Sequence, residues 1–349
     1  MTPAQLSRTV LHTVRRAVED DELCVTVPER VKVRTPPRPG CGDYATNVAL
    51  QLARAEGVSG GGALRIAEIL RRRLVRTPGI ARVDIADPGF LNITLDATSH
   101  GHLVDTVLAQ GRDYGRGDGM AGERVRFASG TAVGEVRAAL VAHVVRGLVT
   151  ACGGEAEADG PGGEALAVRA AGVSADGLLI RLGPDAARWA LLRPAAHDLP
   201  DLDPERLLCQ REANPLFRVR YAHARVRAVL RNAHDLGVEA QPDGTDGTDG
   251  TLDGASYGHP AEIALLALLG DFPRTIEAAA RHRAPDRLVR HLVATADALF
   301  RFHDTCPPLP RGEQKPSAVH RSRTALAEAA GTVLANGLHL LGMTAPEHL

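Results

Sequence analysis

Residues 214–234 read NPLFRVRYAHARVRAVLRNAH, a stretch that predicts one long helix. Asn214 can cap its N-terminus, and Pro215 suits the first helical position, where a backbone N–H has no partner within the helix. The stretch carries five arginines and no acidic residue. Helical patterns continue to the C-terminus, so we predict an all-helical domain over residues 205–349. Its further helices are predicted over 260–269, 272–282, 285–304 and 317–341.

Toward the N-terminus the pattern mixes helices and strands. Residues 80–86 (IARVDIA) and 90–95 (FLNITL) flank the turn sequence Asp87-Pro88-Gly89, which predicts a β-hairpin. We therefore predict an α+β domain over residues 1–115. Its other elements are predicted as helices over 2–22, 44–56 and 63–75, and as strands within 23–34, broken at Pro28.

A third region, with a different sequence pattern, lies between these two over residues 116–204. We predict a strand at 124–129, a helix at 133–151 and a shorter helix at 184–193. Residues 153–164 (GGEAEADGPGGE) are acidic and rich in glycine, so a flexible segment is expected there. A strand without a sheet exposes an unpaired edge, so we expect residues 166–182 or a second chain to cover the strand.

Composition excludes several classes of protein. The chain is 44% hydrophobic and has a formal net charge of −1, which argues against wholesale disorder and against a strongly basic nucleic-acid binder. Only Lys32 and Lys315 are lysines, so 39 of the 41 basic residues are arginine, and an excess of arginine is weak evidence for phosphate binding. The five cysteines form no C-x-x-C pair, so no disulfide framework and no metal site are expected. The repeats of Asp-Gly-Thr at 243–251 predict a solvated linker.

The chain has no apolar run of 18 residues and no apolar core of a signal peptide near its start. We therefore expect a cytoplasmic protein without a membrane partner.

Four blocks of sequence resemble one family, the arginyl-tRNA synthetases. Residues 42–49 (GDYATNVA) and 87–93 (DPGFLNI) are similar to motifs of that family's N-terminal additional domain. Residues 214–225 (NPLFRVRYAHAR) and the ending at 336–347 are similar to its helical, DALR-type anticodon-binding domain. The resemblance implies an α+β N-terminal domain plus an all-α C-terminal anticodon-binding-like helical bundle, joined by a remnant of an α/β core at 116–204.

The same resemblance shows what this chain lacks. The family's catalytic core carries a His-x-Gly-His turn, which holds ATP phosphates, and a Lys-Met-Ser-Lys-like loop, which clamps the pyrophosphate. Here residues 127–137 read FASGTAVGEVR, with no histidine, and residues 166–172 read LAVRAAG, with no lysine. About 30 residues separate the two positions, whereas each βα unit of a nucleotide-binding sheet needs about 30 residues on its own. We therefore predict a collapsed core without catalytic residues.

The hairpin holds the first candidate site. In the family, the residues matching Phe90 and Asn92 contact an adenine in the D-loop of tRNA, and an Asn amide can donate to and accept from that base. The alternative is an Asn that bonds its own backbone beside a packed Phe.

The arginine-rich helix holds the second candidate site. Helical spacing places Arg220, Arg227 and Arg231 on one face, and it places Arg218 and Arg225 on another together with Tyr221. Such a helix can follow an RNA backbone, each arginine binding a phosphate, while Tyr221 stacks on an unpaired base. The alternatives are a solvated face for the arginines and core packing for Tyr221. Three residues match the family motif: Tyr221, His223 and Arg225.

These observations predict a noncatalytic protein that binds tRNA, with an arginine tRNA as the first candidate. One alternative is an arginine-tRNA ligase with residual activity, and only that alternative would use ATP; no other cofactor is expected. The other alternative is a protein-interaction module that has lost RNA binding. Possible protein partners are a full-length synthetase or another enzyme that uses tRNA, and DNA is not expected as a ligand.

Overall fold

The structure is a computed structural model, and it describes residues 1–34, 36, 41–57, 61–128, 136–157, 160, 162–242 and 257–349. The predicted linker at 243–251 lies outside the described residues. So does most of the shortened motif at 127–137.

The N-terminal part is a four-stranded antiparallel sheet whose inner face is covered by three helices, as predicted for an α+β domain. The strand order is β1-β2-β4-β3. Helix α1 begins with a capping box: the Thr2 hydroxyl accepts from the N–H of Gln5 at 3.2 Å, and the Gln5 side chain accepts from the N–H of Thr2 at 2.7 Å. The elements are α1 (Pro3–Glu19), β1 (Val33–Arg34), β2 (Tyr44–Thr46), α2 (Val48–Ala55), α3 (Gly62–Leu74), β3 (Ile80–Ala86) and β4 (Phe90–Leu95).

Two predictions in this part are wrong in detail. Of the stretch 23–34, only Val33–Arg34 forms a strand. The helix predicted over 44–56 begins at Val48, because Tyr44–Thr46 pairs with β4 and buries the Tyr44 and Thr46 side chains in the core. Aromatic and β-branched residues at alternate positions suit a half-buried strand better than the first turn of a helix.

The second part is a large helical body with its own hydrophobic core, which runs from Leu103 to Met343. Helix α4, within the predicted 1–115 domain, buries its apolar residues Leu103, Val104 and Val107 in this larger core. The helices are α4 (Ala97–Gln110), α5 (Val136–Ala151), α6 (Ala175–Leu192), α7 (Pro204–Leu208), α8 (Pro215–Asp235), α9 (Pro260–Arg281), α10 (Asp286–Thr305) and α11 (Ala318–Leu340). Among the described residues, no helix has the length and apolar character needed to cross a bilayer.

Helix α9 is continuous where two helices were predicted. Pro273 lies inside it and offers no N–H to the carbonyl of Leu269, four residues earlier. The hydroxyl of Tyr114 donates to that carbonyl instead, at 2.8 Å, in a buried position. The Leu269 carbonyl therefore has a hydrogen-bond partner from another segment of the chain, and α9 continues beyond Pro273 without a break.

The middle part contains one β-α-β unit. Strands β5 (Arg124–Val125) and β6 (Glu155–Ala156) are parallel, and α5 connects them. Phe127 and Ala128 extend the pairing through bridges to Glu164 and Gly160. The strand is thus covered by Glu155–Ala156, Gly160 and Glu164, and not by 166–182, which was one of the two covers expected. The segment predicted to be flexible supplies the partner, because its N–H groups satisfy the carbonyls of Val125 and Phe127.

Arg137, in the first turn of α5, fastens this unit to the end of α6. Its guanidinium is 1% exposed and directs all five N–H donors at backbone carbonyls. Nε donates to Leu191 at 3.0 Å, Nη1 to Arg169 and Asp198 at 3.0 and 2.7 Å, and Nη2 to Pro194 and Ala195 at 3.0 and 2.9 Å. Arg137, the last residue of the shortened motif, therefore holds backbone segments together.

Candidate nucleic-acid interface

The outer face of the four-stranded sheet presents both hairpin residues. Along β4, Leu91, Ile93 and Leu95 are buried, so Phe90 and Asn92 point to the opposite face. Phe90 is 39% exposed. The Asn92 amide forms no hydrogen bond within the part of the chain that the structure describes, so its donors and acceptor are free for a ligand. The alternative of an Asn bonded to its own backbone is not what this geometry shows.

Helix α8 begins as the sequence predicts. The Asn214 side chain accepts from the N–H of Leu216 at 3.1 Å and of Phe217 at 3.4 Å. Its amide also donates to the carbonyls of Leu207 and Cys209, at 2.8 and 3.0 Å. The residue therefore caps α8 and ties it to the preceding α7.

Three of the five arginines of α8 form ion pairs with carboxylates that come from elsewhere in the chain. The partners belong to α6, to α10 and to the C-terminal segment. The pairs are Arg218 with Asp297, Arg220 with Asp185 at 3.9 Å, and Arg227 with Glu347 at 3.1 Å. The face is therefore less basic than the sequence of the helix indicates.

The other two arginines contact histidine side chains. Arg225 Nη2 lies 3.0 Å from Nδ1 of His303, and Arg231 Nη2 lies 3.4 Å from Nδ1 of His348. Burial lowers the pKa of His303, and the neighbouring Arg225 lowers it further, so the imidazole stays neutral near pH 7. Arg225 and Arg231 thus keep their charge uncompensated by the groups they contact.

The ion pairs of α8 differ in how readily a phosphate could replace the carboxylate. The side chains of Arg227 and Glu347 are 42% and 58% exposed, and an exposed pair of this kind contributes about 0–1 kcal/mol. Arg227 can therefore exchange its partner at little cost. Asp185 is only 13% exposed, so its pair with Arg220 is less accessible to a ligand.

Tyr221 belongs to an aromatic patch on the surface of α8. Its ring lies between those of Phe217 and Phe300, at centroid distances of 5.7 and 5.9 Å, and it is 40% exposed. Neither Phe217 nor Phe300 was among the aromatic residues expected to bind RNA. A partly exposed ring held between two others is a rigid platform on which a base can stack.

His223 faces the interior instead. It is 6% exposed, and its Nδ1 donates to the carbonyl of Pro346 at 2.8 Å. Burial lowers its pKa, so it is neutral near pH 7. This bond holds the C-terminal segment against α8 and so places Glu347 and His348 beside the arginines.

Comparisons with known sequences and structures match both the N-terminal and the C-terminal part of the chain. The profile of the DALR anticodon binding domain matches residues 219–349, and the profile of the arginyl tRNA synthetase N terminal domain matches residues 5–95. Among solved structures, arginyl-tRNA synthetase of Thermus thermophilus has the same fold, with a TM-score of 0.72 at 14% identity over 100% of both chains. The enzyme of Plasmodium falciparum gives a TM-score of 0.66 at 10% identity over 99% of both chains.

Two sequence relatives that align along their full length are both arginine–tRNA ligases by name. The chain is 27% identical to an arginine–tRNA ligase of Frankia alni and 26% identical to that of Pseudarthrobacter chlorophenolicus, in each case over 100% of both sequences. The first alignment runs over 562 residues, so at least 213 of its positions have no counterpart in the 349 residues of this chain. With its N-terminal and anticodon-binding domains both matched and the predicted fold class confirmed, the chain belongs to the arginyl-tRNA synthetase family.

Proposed function

We propose that this protein binds tRNA, with an arginine tRNA as the first candidate, and does not activate arginine. The observation that carries the proposal is the contrast between the parts of the chain. The N-terminal sheet and the helical domain are present with accessible base-binding groups, while one short β-α-β unit stands between them.

The binding half of the proposal rests on three accessible features. The free amide of Asn92 and the neighbouring Phe90 can read a splayed adenine. The aromatic patch around Tyr221 can stack on a base of a single-stranded loop. Arg225, Arg227 and Arg231 can bind phosphates, because two of them contact histidines rather than carboxylates and the third has an exposed carboxylate partner.

The proposal that the protein does not activate arginine rests on the middle region. In the described residues, the parallel pairing there comprises β5 and β6, of two residues each, and two isolated bridges. Such a sheet offers little of the strand-end crevice in which open parallel sheets bind nucleotides. The sequence at 127–137 and 166–172 provides no histidine and no lysine for the triphosphate. Arg137, the cation at the end of the first stretch, is buried and committed to five carbonyls.

A second candidate function is a protein-interaction module without RNA binding. The observation that favours it is the pairing of Arg218, Arg220 and Arg227 with carboxylates, which removes much of the positive charge of α8. The name shared by the sequence relatives favours a third candidate, the ligase itself.

Electrophoretic retention of total tRNA at low salt, followed by sequencing of the retained species, tests the binding half. We expect retention of a restricted set of tRNAs that weakens as salt is raised. Tyr221→Leu is the matched variant, because it keeps an apolar side chain and removes a ring of the platform, and we expect it to weaken retention. A wild-type protein that retains no tRNA at low salt would favour the interaction module.

A further inference from the structure

An open cleft of about 730 Å³ separates β1 of the N-terminal sheet from helices α9 and α10 of the helical body. Its walls carry five cations that come from three separate stretches of the sequence. Lys32 and Arg34 form one wall, and Arg274, Arg287 and Arg290 form the other, with Asp271 as the acid among the lining residues.

Two of these cations already have partners within the protein. Arg274 donates to the backbone carbonyl of Val33 and, at 3.1 Å, to the carboxylate of Asp271, so it fixes β1 against α9. Arg290 pairs with Asp286 at 2.7 Å, one turn earlier on α10. These two side chains are therefore engaged in structural contacts.

The other three cations lack a counter-charge. Within the described ranges, the side chains of Lys32, Arg34 and Arg287 form no ion pair and no hydrogen bond, and all three residues are exposed. Like charges that converge on one volume repel each other, which costs stability unless an anion binds between them. The cleft is thus suited to a ligand that carries several negative charges.

The register of the sheet connects this cleft to the base-reading residue. Arg34 lies opposite Ala45, and Ala45 lies opposite Asn92, so the three occupy one row across the sheet. Residues paired directly in this way share a face, so Arg34 and Asn92 lie on the same outer surface. Adjacent strands are separated by about 4.8 Å, which places the two backbones about 10 Å apart. A few nucleotides of one RNA strand cover that distance.

We propose that the cleft lined by Lys32, Arg34 and Arg287 binds the sugar–phosphate backbone of the RNA whose base is read at Asn92. The inference rests on the proposed tRNA binding and assigns the main phosphate contact to this cleft, whose three free cations contrast with the carboxylate-paired arginines of α8. An RNA backbone fits better than a small anion because the cleft is open and because Arg34, in its wall, shares the outer sheet face with Asn92.

The test compares two triple variants of equal charge change. Lys32→Ala/Arg34→Ala/Arg287→Ala removes the three cleft cations. Arg15→Ala/Arg54→Ala/Arg76→Ala removes three exposed arginines of the helical layer on the other side of the sheet, which also form no ion pair within the described residues.

The readout is the affinity for the tRNA that the wild-type protein retains, measured from about 50 to 200 mM salt. Each lost phosphate contact lowers the slope of log affinity against log salt by about 0.7–0.9, so the cleft variant is expected to lose about 2 in slope and at least tenfold in affinity at low salt. The control variant is expected to stay within about twofold of wild type. A cleft variant that keeps the wild-type slope and affinity overturns the proposal.

A second measurement uses the wild-type protein, so it does not depend on the folding of a variant. Phenylglyoxal modifies free arginines, and peptide mass spectrometry reports modification at Arg34 and Arg287 with tRNA, with pyrophosphate or with neither. Protection by tRNA supports the proposal. Equal modification with and without tRNA, or protection by micromolar pyrophosphate alone, overturns it.

Different results would contradict the proposed tRNA binding and the inference about the cleft. If the wild-type protein retains no tRNA, the proposed function itself fails. If it retains tRNA and Asn92→Ala weakens that binding while the cleft variant does not, only the inference about the cleft fails.

Discussion

Replacing Arg137 with Met should destabilise the protein strongly, although the residue touches no ligand. Met has a similar length and removes all five donors. The carbonyl of Leu191 becomes a buried acceptor without a partner, which costs about 1–3 kcal/mol. The carbonyls of Arg169, Pro194, Ala195 and Asp198 are partly buried and can recover water, so each loses about 0.5–1 kcal/mol of a charge-assisted bond. The expected loss in free energy of unfolding is therefore about 3–7 kcal/mol.

Urea unfolding followed by circular dichroism measures this loss as a shift of the midpoint. Arg137→Lys should give an intermediate loss, because an ammonium keeps the charge and offers three donors to five carbonyls. Arg301→Met is the control, since this exposed arginine of α10 has no side-chain partner in the described residues, and we expect a change below about 0.5 kcal/mol. A stability of the Arg137→Met variant within about 1 kcal/mol of wild type would refute the structural role given to this guanidinium.

Three further predictions concern the tRNA surfaces and the buried histidine of α10. Asn92→Ala should cost about 1–3 kcal/mol of affinity for a tRNA with the D-loop adenine and little for one without it, and equal losses for both would contradict base reading. Replacing Arg225, Arg227 and Arg231 with Ala should weaken the binding of different tRNAs similarly, and it should flatten the slope of log affinity against log salt by about 0.7–0.9 per lost phosphate contact. An unchanged slope would mean that these arginines form a solvated face. Burial lowers the pKa of His291 to about 4 from its ordinary 6.5. The folded protein therefore favours the neutral imidazole, and the full stability is present above pH 6.5. That stability is lost as the pH falls from 6.5 toward 4, because the unfolded chain binds a proton that the buried histidine does not. The free energy of unfolding from urea titrations should therefore fall by about 3 kcal/mol between pH 7 and pH 4. His291→Gln should remove most of that fall. An equally steep fall in the variant would contradict the assignment of the pH dependence to His291.

Local signals in the sequence were sufficient for the elements that do not depend on distant partners. The Asn-Pro start of α8, the hairpin of β3 and β4 and the capped helix α1 all form where capping and alternation predict them. The outward direction of Phe90 and Asn92 follows from the same alternation, because their neighbours in β4 are apolar.

Features that depend on long-range contacts could not be predicted in this way. The break expected at Pro273 is absent because Tyr114, far away in the sequence, satisfies the freed carbonyl. The charge of α8 was overestimated because Asp185, Asp297 and Glu347 come from other segments. The cleft was missed for the same reason, since its cations converge only when β1 packs against α9 and α10.

The most direct test of the central claim is ATP–pyrophosphate exchange with arginine, measured in the presence of a tRNA that the protein retains. The account predicts exchange equal to a control without protein, because residues 127–137 carry no histidine and residues 166–172 no lysine to hold the triphosphate and neutralise the departing pyrophosphate. Exchange clearly above that control would contradict the noncatalytic function and restore the ligase as the first candidate.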